Sequence, residues 1–169
     1  AVETARVAGY SAKDTVAPKR RLDLKIVELN SQGFLNGHTP FSAIVAFSAL
    51  FCAIAEQKRY IVLSNESSAN DVYVKGTTVN HQYSKSVEFE NDFRVLVKDR
   101  ICGEVEYFSL LRPLNEWNII KLFVGYPQYL PVFKSCNLGS KKNVWCGECS
   151  KCLFVYIMLS PFVENEKLK

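Results

Sequence analysis

Four closely spaced cysteines are the residues of this sequence whose type and spacing most directly imply a chemical site. Cys136, Cys146, Cys149 and Cys152 have nine, two and two residues between successive members. Cysteines two residues apart place both sulfurs on one side of a tight turn, and four such thiolates suit a tetrahedral Zn²⁺ ion. Four protein ligands leave no open position for water, so the sequence predicts a structural zinc-binding loop over residues 136–152.

Three other chemistries compete with zinc for these cysteines. A redox Cys-x-x-Cys pair needs only two thiols and normally follows a strand of a βαβ unit. An iron–sulfur cluster also uses closely spaced cysteines, but in its usual run the fourth ligand lies farther downstream. Disulfides are disfavoured because we recognise no secretory segment, and thiols so close together in a reducing compartment more often bind metal. Cys52 and Cys102 have apolar neighbours and are predicted to be small buried hydrophobic residues.

Two polar segments carry the other candidate groups. Residues 64–70, Ser-Asn-Glu-Ser-Ser-Ala-Asn, directly follow a predicted strand, where the ligand crevice of an open α/β sheet lies. Residues 80–86, Asn-His-Gln-Tyr-Ser-Lys-Ser, combine an imidazole, a phenol, an amine and amides. A long solvated loop with helix-capping serines is the alternative interpretation. Long loops in compact domains are usually functional or disordered, and the aromatic and ionisable content argues against disorder.

The elements that must position these groups alternate between helix and strand. A turn at Gly37-His38-Thr39-Pro40, with Thr39 as N-cap and Pro40 at the first helical position, starts a helix that is apolar on nearly all sides and therefore predicted to be buried. Helical spacing and short apolar runs predict helices over residues 1–8, 21–32, 40–56, 87–97, 115–124 and 151–161, and strands over 60–63 and 105–111. This order predicts an α/β layered fold, with a parallel sheet and flanking helices.

Length and composition are those of an ordinary globular protein, and predict a single domain over residues 1–169. Hydrophobic residues make up 48% and charged residues 22% of the chain. The longest apolar run, residues 43–55, is too short to span a membrane, so no membrane partner is expected. The net charge of +4 suits an anionic ligand. Basic residues are scattered among acidic ones, which disfavours a nucleic-acid partner.

Several longer strings give the sequence a family resemblance: GHTPFSAIVAFSAL, SNESSAN, VNHQYSKSVEFE, YFSLLRPLNE, and VFKSCN followed by WCGECSKCLF. Together they resemble the UDP-N-acetyl-α-D-muramoyl-L-alanyl-L-glutamate epimerases of bacterial peptidoglycan synthesis, over roughly residues 20–163. The cysteine spacing, and the helix followed by a strand and an acidic Asn-rich loop, also resemble the cyano-deazaguanine synthases. Those enzymes are more distant relatives in the ATP-pyrophosphatase, or PP-loop, superfamily.

The resemblance implies a cytoplasmic enzyme with a fold of the PP-loop, adenine-nucleotide α-hydrolase type. Its substrates would be ATP, with Mg²⁺, and the UDP-linked muramoyl dipeptide, whose terminal L-glutamate is adenylated, inverted to D-glutamate and then freed from AMP by hydrolysis. The superfamily's Ser-Gly-Gly-x-Asp-Ser phosphate loop does not occur in this sequence. We therefore expect the chain to be the C-terminal part of a longer enzyme. On its own it should not use ATP. The alternatives are another PP-loop enzyme, such as a nucleobase-modifying ligase resembling the cyano-deazaguanine synthases, and a zinc-stabilised nucleic-acid-binding module.

The catalytic candidates lie in the matched polar strings. They are the ionisable side chains of Glu66, His81, Tyr83 and Lys85. Histidine is the side chain most easily poised near neutral pH, and a carboxylate can hold Mg²⁺ or accept hydrogen bonds from a substrate. Inverting a carbon centre requires a base and an acid on opposite faces, and the sequence does not assign these two roles among the candidates.

The binding candidates flank the catalytic ones. Gly37, His38 and Thr39 stand at a predicted helix N-terminus, where free amides and the helix dipole favour a nucleotide phosphate, although a plain capping turn is the alternative. Asn65, Asn80 and Arg112 are the predicted substrate ligands, and Arg112 or Lys85 would pair with a phosphate or carboxylate. We expect Glu66, His81 and Lys85 to line one crevice, with residues 37–39 at its phosphate end.

Overall fold

A computed structural model describes residues 2–21, 23–34, 40–72, 76–77, 79–139, 142–164 and 166. The chain divides into two compact units, a sheet unit over Val16–Pro113 and a cysteine unit formed by Ala1–Thr15 with Leu114–Lys169. The single domain expected over residues 1–169 stays a prediction. The α-helices of the described residues are α1 (Val2–Val7), α2 (Leu24–Ser31), α3 (Phe41–Ala55), α4 (Val87–Leu96), α5 (Glu116–Phe123) and α6 (Ser150–Leu159). The strands there are β1 (Tyr60–Leu63) and β2 (Glu106–Ser109).

The sheet unit is built on β1 and β2, which pair in parallel. Tyr60 lies opposite Glu106, and Leu63 lies opposite Ser109. Two parallel strands cannot be joined by a tight turn and need a crossover, which here includes α4. The α/β class, both strands and the parallel pairing are therefore confirmed for this small two-stranded sheet.

One hydrophobic core holds the sheet unit together. Phe93 of α4 is its centre, with its ring centroid 4.6 Å from that of Tyr107 and 5.0 Å from that of Phe47. These residues come from α3, α4 and β2, so one aromatic side chain joins helices to the sheet. The buried members of this core are Ala46, Leu50, Ala53, Ile61, Phe93, Val97, Val105 and Tyr107.

Two expectations for α3 are wrong. Pro40 is not the first helical residue: with ψ of 74° it lies outside the helical region and is itself the N-cap, so the helix begins at Phe41. The helix is also not buried all round, because its buried residues are Ala46, Leu50 and Ala53, on one face. Phe51 keeps 75% of its surface exposed.

None of the helices in the described part of the chain has the length and apolar character needed to cross a membrane.

Capping residues set the starts of the other helices in the sheet unit. The Asp23 side chain accepts a hydrogen bond from the Lys25 amide at 2.9 Å, so α2 begins at Leu24 rather than at residue 21. Ser86 caps α4 in the same way, accepting from the Phe89 amide at 3.2 Å. After Leu96 the chain continues as a π-helical turn, Val97–Ile101. The prediction of a helix over 87–97 is therefore confirmed to within one residue.

The cysteine unit is held by aromatic contacts between short helices and the loop that carries the cysteines. Trp117 of α5 lies 5.1 Å, centroid to centroid, from Phe162, just beyond α6. Phe133 lies between Phe123 and Trp145, at 5.1 and 5.6 Å. Because Trp145 directly precedes Cys146, this aromatic cluster supports one side of the cysteine loop.

Candidate active site and metal centre

Two polar loops lie side by side beyond the strands of the sheet unit. The first site loop, Ser64–Asn70, leaves β1, and the second site loop, Asn80–Ser86, leads into α4. The Asn80 side-chain amide donates to the carbonyl of Ala69 at 2.9 Å. In the other direction, the side-chain oxygen of Asn70 accepts a hydrogen bond from the Val87 amide at 2.7 Å. Each loop is thus fixed by a side chain that reaches the backbone of, or next to, the other.

The first site loop also reaches the end of the second strand. The side-chain amide of Asn65 donates to the hydroxyl of Ser109, the last residue of β2, at 3.1 Å. The loop therefore spans the carboxyl ends of both strands, the edge at which α/β sheets commonly bind ligands. Asn65 and Asn80, predicted as substrate ligands, both hold the loops in place through the contacts described.

The catalytic candidates of the second site loop differ in their surroundings. The Lys85 ammonium is half-buried and donates to the Gln82 side-chain oxygen at 2.9 Å. The Tyr83 phenol donates to the Asp92 carboxylate at 2.5 Å, and this hydrogen bond, with some burial, raises the pKa of Tyr83 to about 12. Tyr83 is therefore protonated at neutral pH, and it gives up its proton less readily than a free tyrosine does. His81 lies exposed at the start of the same loop, and Glu66 is half-buried in the other loop.

Arg112 contacts both site loops. One of its terminal nitrogens donates to the carbonyl of Glu66 at 3.1 Å, and the other donates to the carbonyl of Lys85 at 2.8 Å. The second nitrogen also lies 3.1 Å from the Glu90 carboxylate. The arginine side chain is only 14% exposed. In this structure the guanidinium predicted to bind substrate is bound to the protein itself.

Glu90 is the residue that the sequence analysis missed. Its side chain, 6% exposed, receives hydrogen bonds from Arg94 at 2.8 Å and from Arg112 at 3.1 Å. Burial raises the pKa of the Glu90 carboxyl, but hydrogen bonds from Ser109 and Arg112 outweigh it and hold the pKa below its usual range. The signal was its position: it shares the buried face of α4 with Phe93, three residues on.

Stability of the sheet unit should depend on the ionisation of Glu90. Because its pKa is lower in the folded state, the carboxylate stabilises the fold above its unfolded pKa of about 4.3. That contribution is lost as pH falls through the folded pKa. Thermal unfolding by circular dichroism between pH 7 and pH 3 checks this. Glu90→Gln should flatten the acid limb, whereas the same change at exposed Glu104 should leave it unaltered. Equal acid limbs in all three proteins would contradict the expectation.

The residues predicted to bind a phosphate at one end of the crevice are not described by the structure. Gly37, His38 and Thr39 lie outside the described residues. Their role at the N-terminus of α3 stays a prediction.

The cysteine unit brings the four predicted metal ligands together. The sulfurs of Cys136 and Cys149 lie 3.9 Å apart, those of Cys146 and Cys152 3.7 Å, and those of Cys149 and Cys152 3.5 Å. All lie within 4.8 Å of one another. Four sulfurs about 2.3 Å from one central ion would be about 3.8 Å apart, so the observed geometry fits a single tetrahedral metal. The thiols are free, and these separations far exceed a disulfide bond of about 2.05 Å.

Glycines and backbone amides shape the cysteine loop around its sulfurs. The Gly139 amide donates to the Cys136 sulfur at 3.0 Å, and a methyl group at Gly139 would lie 2.2 Å from the Val144 carbonyl oxygen. Gly147, between two ligands, has φ of +75°, a conformation that glycine adopts without strain. Backbone amides, chiefly that of Cys152, lower the pKa of the Cys149 thiol to about 6. The contacts of Cys149 favour the thiolate form that binds metal. Although the Glu148 amide lowers the pKa of the Cys146 thiol, burial and the neighbouring sulfurs raise it to about 11.

Comparison with known families and proteins now adds to this geometry. Residues 2–110 match the family model described as the MurL N-terminal domain, and residues 132–169 match the one described as the MurL C-terminal domain. The chain belongs to the MurL family. The first MurL match includes both site loops and Glu90, and the second includes all four cysteines.

Curated relatives of this MurL chain carry one name, UDP-N-acetyl-alpha-D-muramoyl-L-alanyl-L-glutamate epimerase. The Micromonospora relative is 37% identical over 90% of the chain and 36% of its own length. The Salinispora tropica relative is 36% identical over 99% of the chain and 37% of its own length, and the Xanthomonas oryzae relative 37% identical over 88% and 35%. The chain thus spans about a third of the length of these relatives. No solved structure matches it.

Proposed function

We propose that this MurL-family chain takes part in the ATP-dependent epimerisation of the terminal L-glutamate of UDP-MurNAc-L-Ala-L-Glu to D-glutamate, in peptidoglycan synthesis in the cytoplasm. The observation that carries the proposal is the family match across both site loops, together with relatives at 36–37% identity that bear this epimerase name. The clustering of ionisable side chains beyond the strand ends supports placing the chemistry there.

The proposed reaction begins at the α-carboxylate of the terminal glutamate. Removing the α-proton beside a carboxylate would create a second negative charge. The carboxylate is therefore first converted to an acyl-adenylate, in which the carbonyl group carries no negative charge. A carboxylate oxygen attacks the α-phosphorus of ATP, and pyrophosphate leaves. A base then takes the α-proton, an acid returns a proton to the opposite face, and water cleaves the acyl–phosphate bond to release AMP and the inverted product.

The site loops offer groups for the proton transfers. Tyr83 is protonated at neutral pH but donates its proton in a hydrogen bond to Asp92, so it is a candidate acid once the substrate replaces that hydrogen bond. Lys85 and His81, from the same loop, are the candidate bases, and the half-buried Glu66 in the neighbouring loop holds substrate or Mg²⁺. Because Glu66 belongs to the first site loop and the proton-transfer candidates belong to the second, the substrate would lie between the two loops.

For nucleotide binding, this sequence supplies few of the residues that PP-loop enzymes use. The Ser-Gly-Gly-x-Asp-Ser loop of PP-loop enzymes does not occur in it, so these residues do not supply that phosphate cradle. We propose a PP-loop-type fold in which the phosphates bind mainly outside this chain, with Gly37, His38 and Thr39 contributing at one end. This 169-residue chain should then bind ATP weakly and release no pyrophosphate.

We propose that the four cysteines hold a structural zinc ion. Four thiolates around one ion leave no position for water or substrate, so the metal would supply folding energy and no chemistry. A four-iron cluster attaches each cysteine to a different iron atom and needs wider sulfur spacing than a shared ion. The separations of 3.5–3.9 Å support the single ion.

An isotope experiment tests the epimerase proposal. The full-length protein from its host cell, rather than the 169-residue chain alone, is incubated in D₂O with the UDP-linked dipeptide, ATP and Mg²⁺. The product dipeptide should end in D-glutamate with one deuterium on its α-carbon, and one AMP should form per turnover. His81→Ala and Lys85→Ala should each lower the rate by a factor on the order of 100 if the residue transfers a proton.

Lys98→Ala is the matched control, because Lys98 is exposed on the π-helical turn, away from both site loops. It should retain the normal rate and stability. ATP-dependent pyrophosphate release without D-glutamate would favour a ligase of the cyano-deazaguanine synthase kind. Full activity of both loop variants would remove His81 and Lys85 from the mechanism.

A further inference from the structure

Arg112 joins the two site loops through their backbone carbonyls. The carbonyls of Glu66 and Lys85 belong to turns at the ends of the site loops, and both point at the same guanidinium. Arginine is suited to this task because its planar fork holds several donors in fixed directions, which a lysine ammonium does not. Together with the Asn80 and Asn70 hydrogen bonds, this side chain sets the separation between the backbone of the first site loop and that of the second.

Glu90 of α4 anchors the Arg112 guanidinium. Its carboxylate accepts from Arg112 at 3.1 Å and from Arg94 at 2.8 Å, while Arg94 also donates to the Tyr107 carbonyl of β2 at 2.6 Å. Ser109, which also binds Asn65, donates to Glu90 as well. The guanidinium is thus held by α4 and β2, the rigid elements behind the loops.

Burying an ion pair in a core costs the desolvation free energy of both charges. Desolvation largely cancels its attraction, and apolar residues of the same volume often stabilise as well or better. The Glu90 and Arg112 side chains are 6% and 14% exposed, so this cost applies to them. What an apolar pair would lack is the ability to bind two loop carbonyls at once.

We propose that the Glu90–Arg112 pair is a positioning device that holds the two site loops at the separation the substrate requires, and that Arg112 is not a substrate ligand. The proposal rests on the proposed function for its catalytic consequence. Its structural half, the coupling of the loops through Arg112, stands without that function.

Two variants test the pair, with kcat, KM and amide hydrogen exchange as readouts. Arg112→Lys keeps the charge but loses the fork, and Glu90→Gln keeps Arg112 but removes its ionic anchor. In both, we expect kcat to fall on the order of 100-fold, as for a small misplacement of catalytic groups, with KM changed less than about threefold. Amides of residues 66–70 and 82–86 should exchange about tenfold faster, because a charge-assisted hydrogen bond is lost.

Arg59→Lys is the matched control, since Arg59 pairs with Glu106 at 3.0 Å but both side chains are more than half exposed. It should alter neither kinetics nor exchange in the site loops. If Arg112 binds substrate directly, Arg112→Lys raises KM while Glu90→Gln leaves KM and loop exchange near normal, and the proposal fails. If the wild-type protein shows no epimerisation, the exchange data still decide the coupling. Unchanged loop exchange in both variants overturns it.

Discussion

Replacing Cys149 with serine should release the metal from the cysteine unit and unfold the loop around it. Cys149 lies within 3.9 Å of the sulfurs of both Cys136 and Cys152, so its loss opens the tetrahedron. Because the site exists only in the folded state, the free energy of metal binding adds to the free energy of folding. A site saturated at about 1,000 times its Kd contributes about 4 kcal/mol, and most of that should disappear. Elemental analysis of freshly purified protein should give about one zinc per chain for the wild type and almost none for the variant.

Cys52→Ser and Cys102→Ser are the matched controls, because they remove a thiol from the sheet unit instead. Both should keep the full zinc content. The emission of Trp145, next to Cys146, should change in Cys149→Ser and not in the controls. Wild-type protein that contains no metal when fresh, or a Cys149→Ser variant with full zinc, would rule out the proposed site.

Phe93→Ala should be the most damaging single change in the core of the sheet unit. Phe93 is 2% exposed and touches three aromatic rings, those of Phe47, Phe89 and Tyr107. Removing the ring leaves a cavity that the two-stranded sheet cannot close. Such truncations cost about 3–5 kcal/mol. Urea unfolding followed by far-ultraviolet circular dichroism measures this loss.

Phe51→Ala is the same substitution on the exposed side of α3, where the ring is 75% exposed. It should change the unfolding free energy by no more than about 0.5 kcal/mol. Both tryptophans, Trp117 and Trp145, belong to the cysteine unit, so their fluorescence reports on that unit separately. A Phe93→Ala protein as stable as Phe51→Ala would show that the ring is not central to the core.

Local sequence signals predicted the elements that depend on local forces. The apolar run at residues 60–63 and the alternation near 105–111 located both strands, because a buried strand needs those side chains wherever it lies. The spacing of Cys136, Cys146, Cys149 and Cys152 predicted their convergence, since tight turns leave few other arrangements. Ser86 and Asn115 cap two helix starts, because each side chain accepts a hydrogen bond from an amide only three residues further along the chain.

Long-range pairings could not be predicted in this way. Glu90 follows a helix N-cap, where carboxylates usually face water, and only its partners explain its burial. Arg112 was predicted to bind a substrate anion because nothing in the sequence shows that Glu90 lies beside it. The exposure of Phe51 had the opposite cause: apolarity all round a helix predicts burial, yet the described residues cover only one side of α3. The burial of Glu90 and the exposure of Phe51 both depend on surfaces supplied by distant residues.

The sequence distances spanned by the two sites also set the order in which they form during folding. The cysteine sulfurs that meet are 6 and 13 residues apart along the chain, whereas Arg112 and Glu66 are 46 apart. Closing the longer loop costs about 1–2 kcal/mol more in chain entropy, and parallel strand pairing is slow for the same reason. During refolding of the complete chain, the cysteine loop should therefore close around its proposed metal early, as a local event. The candidate active site then assembles last, when the sheet closes and Arg112 finally reaches both loops.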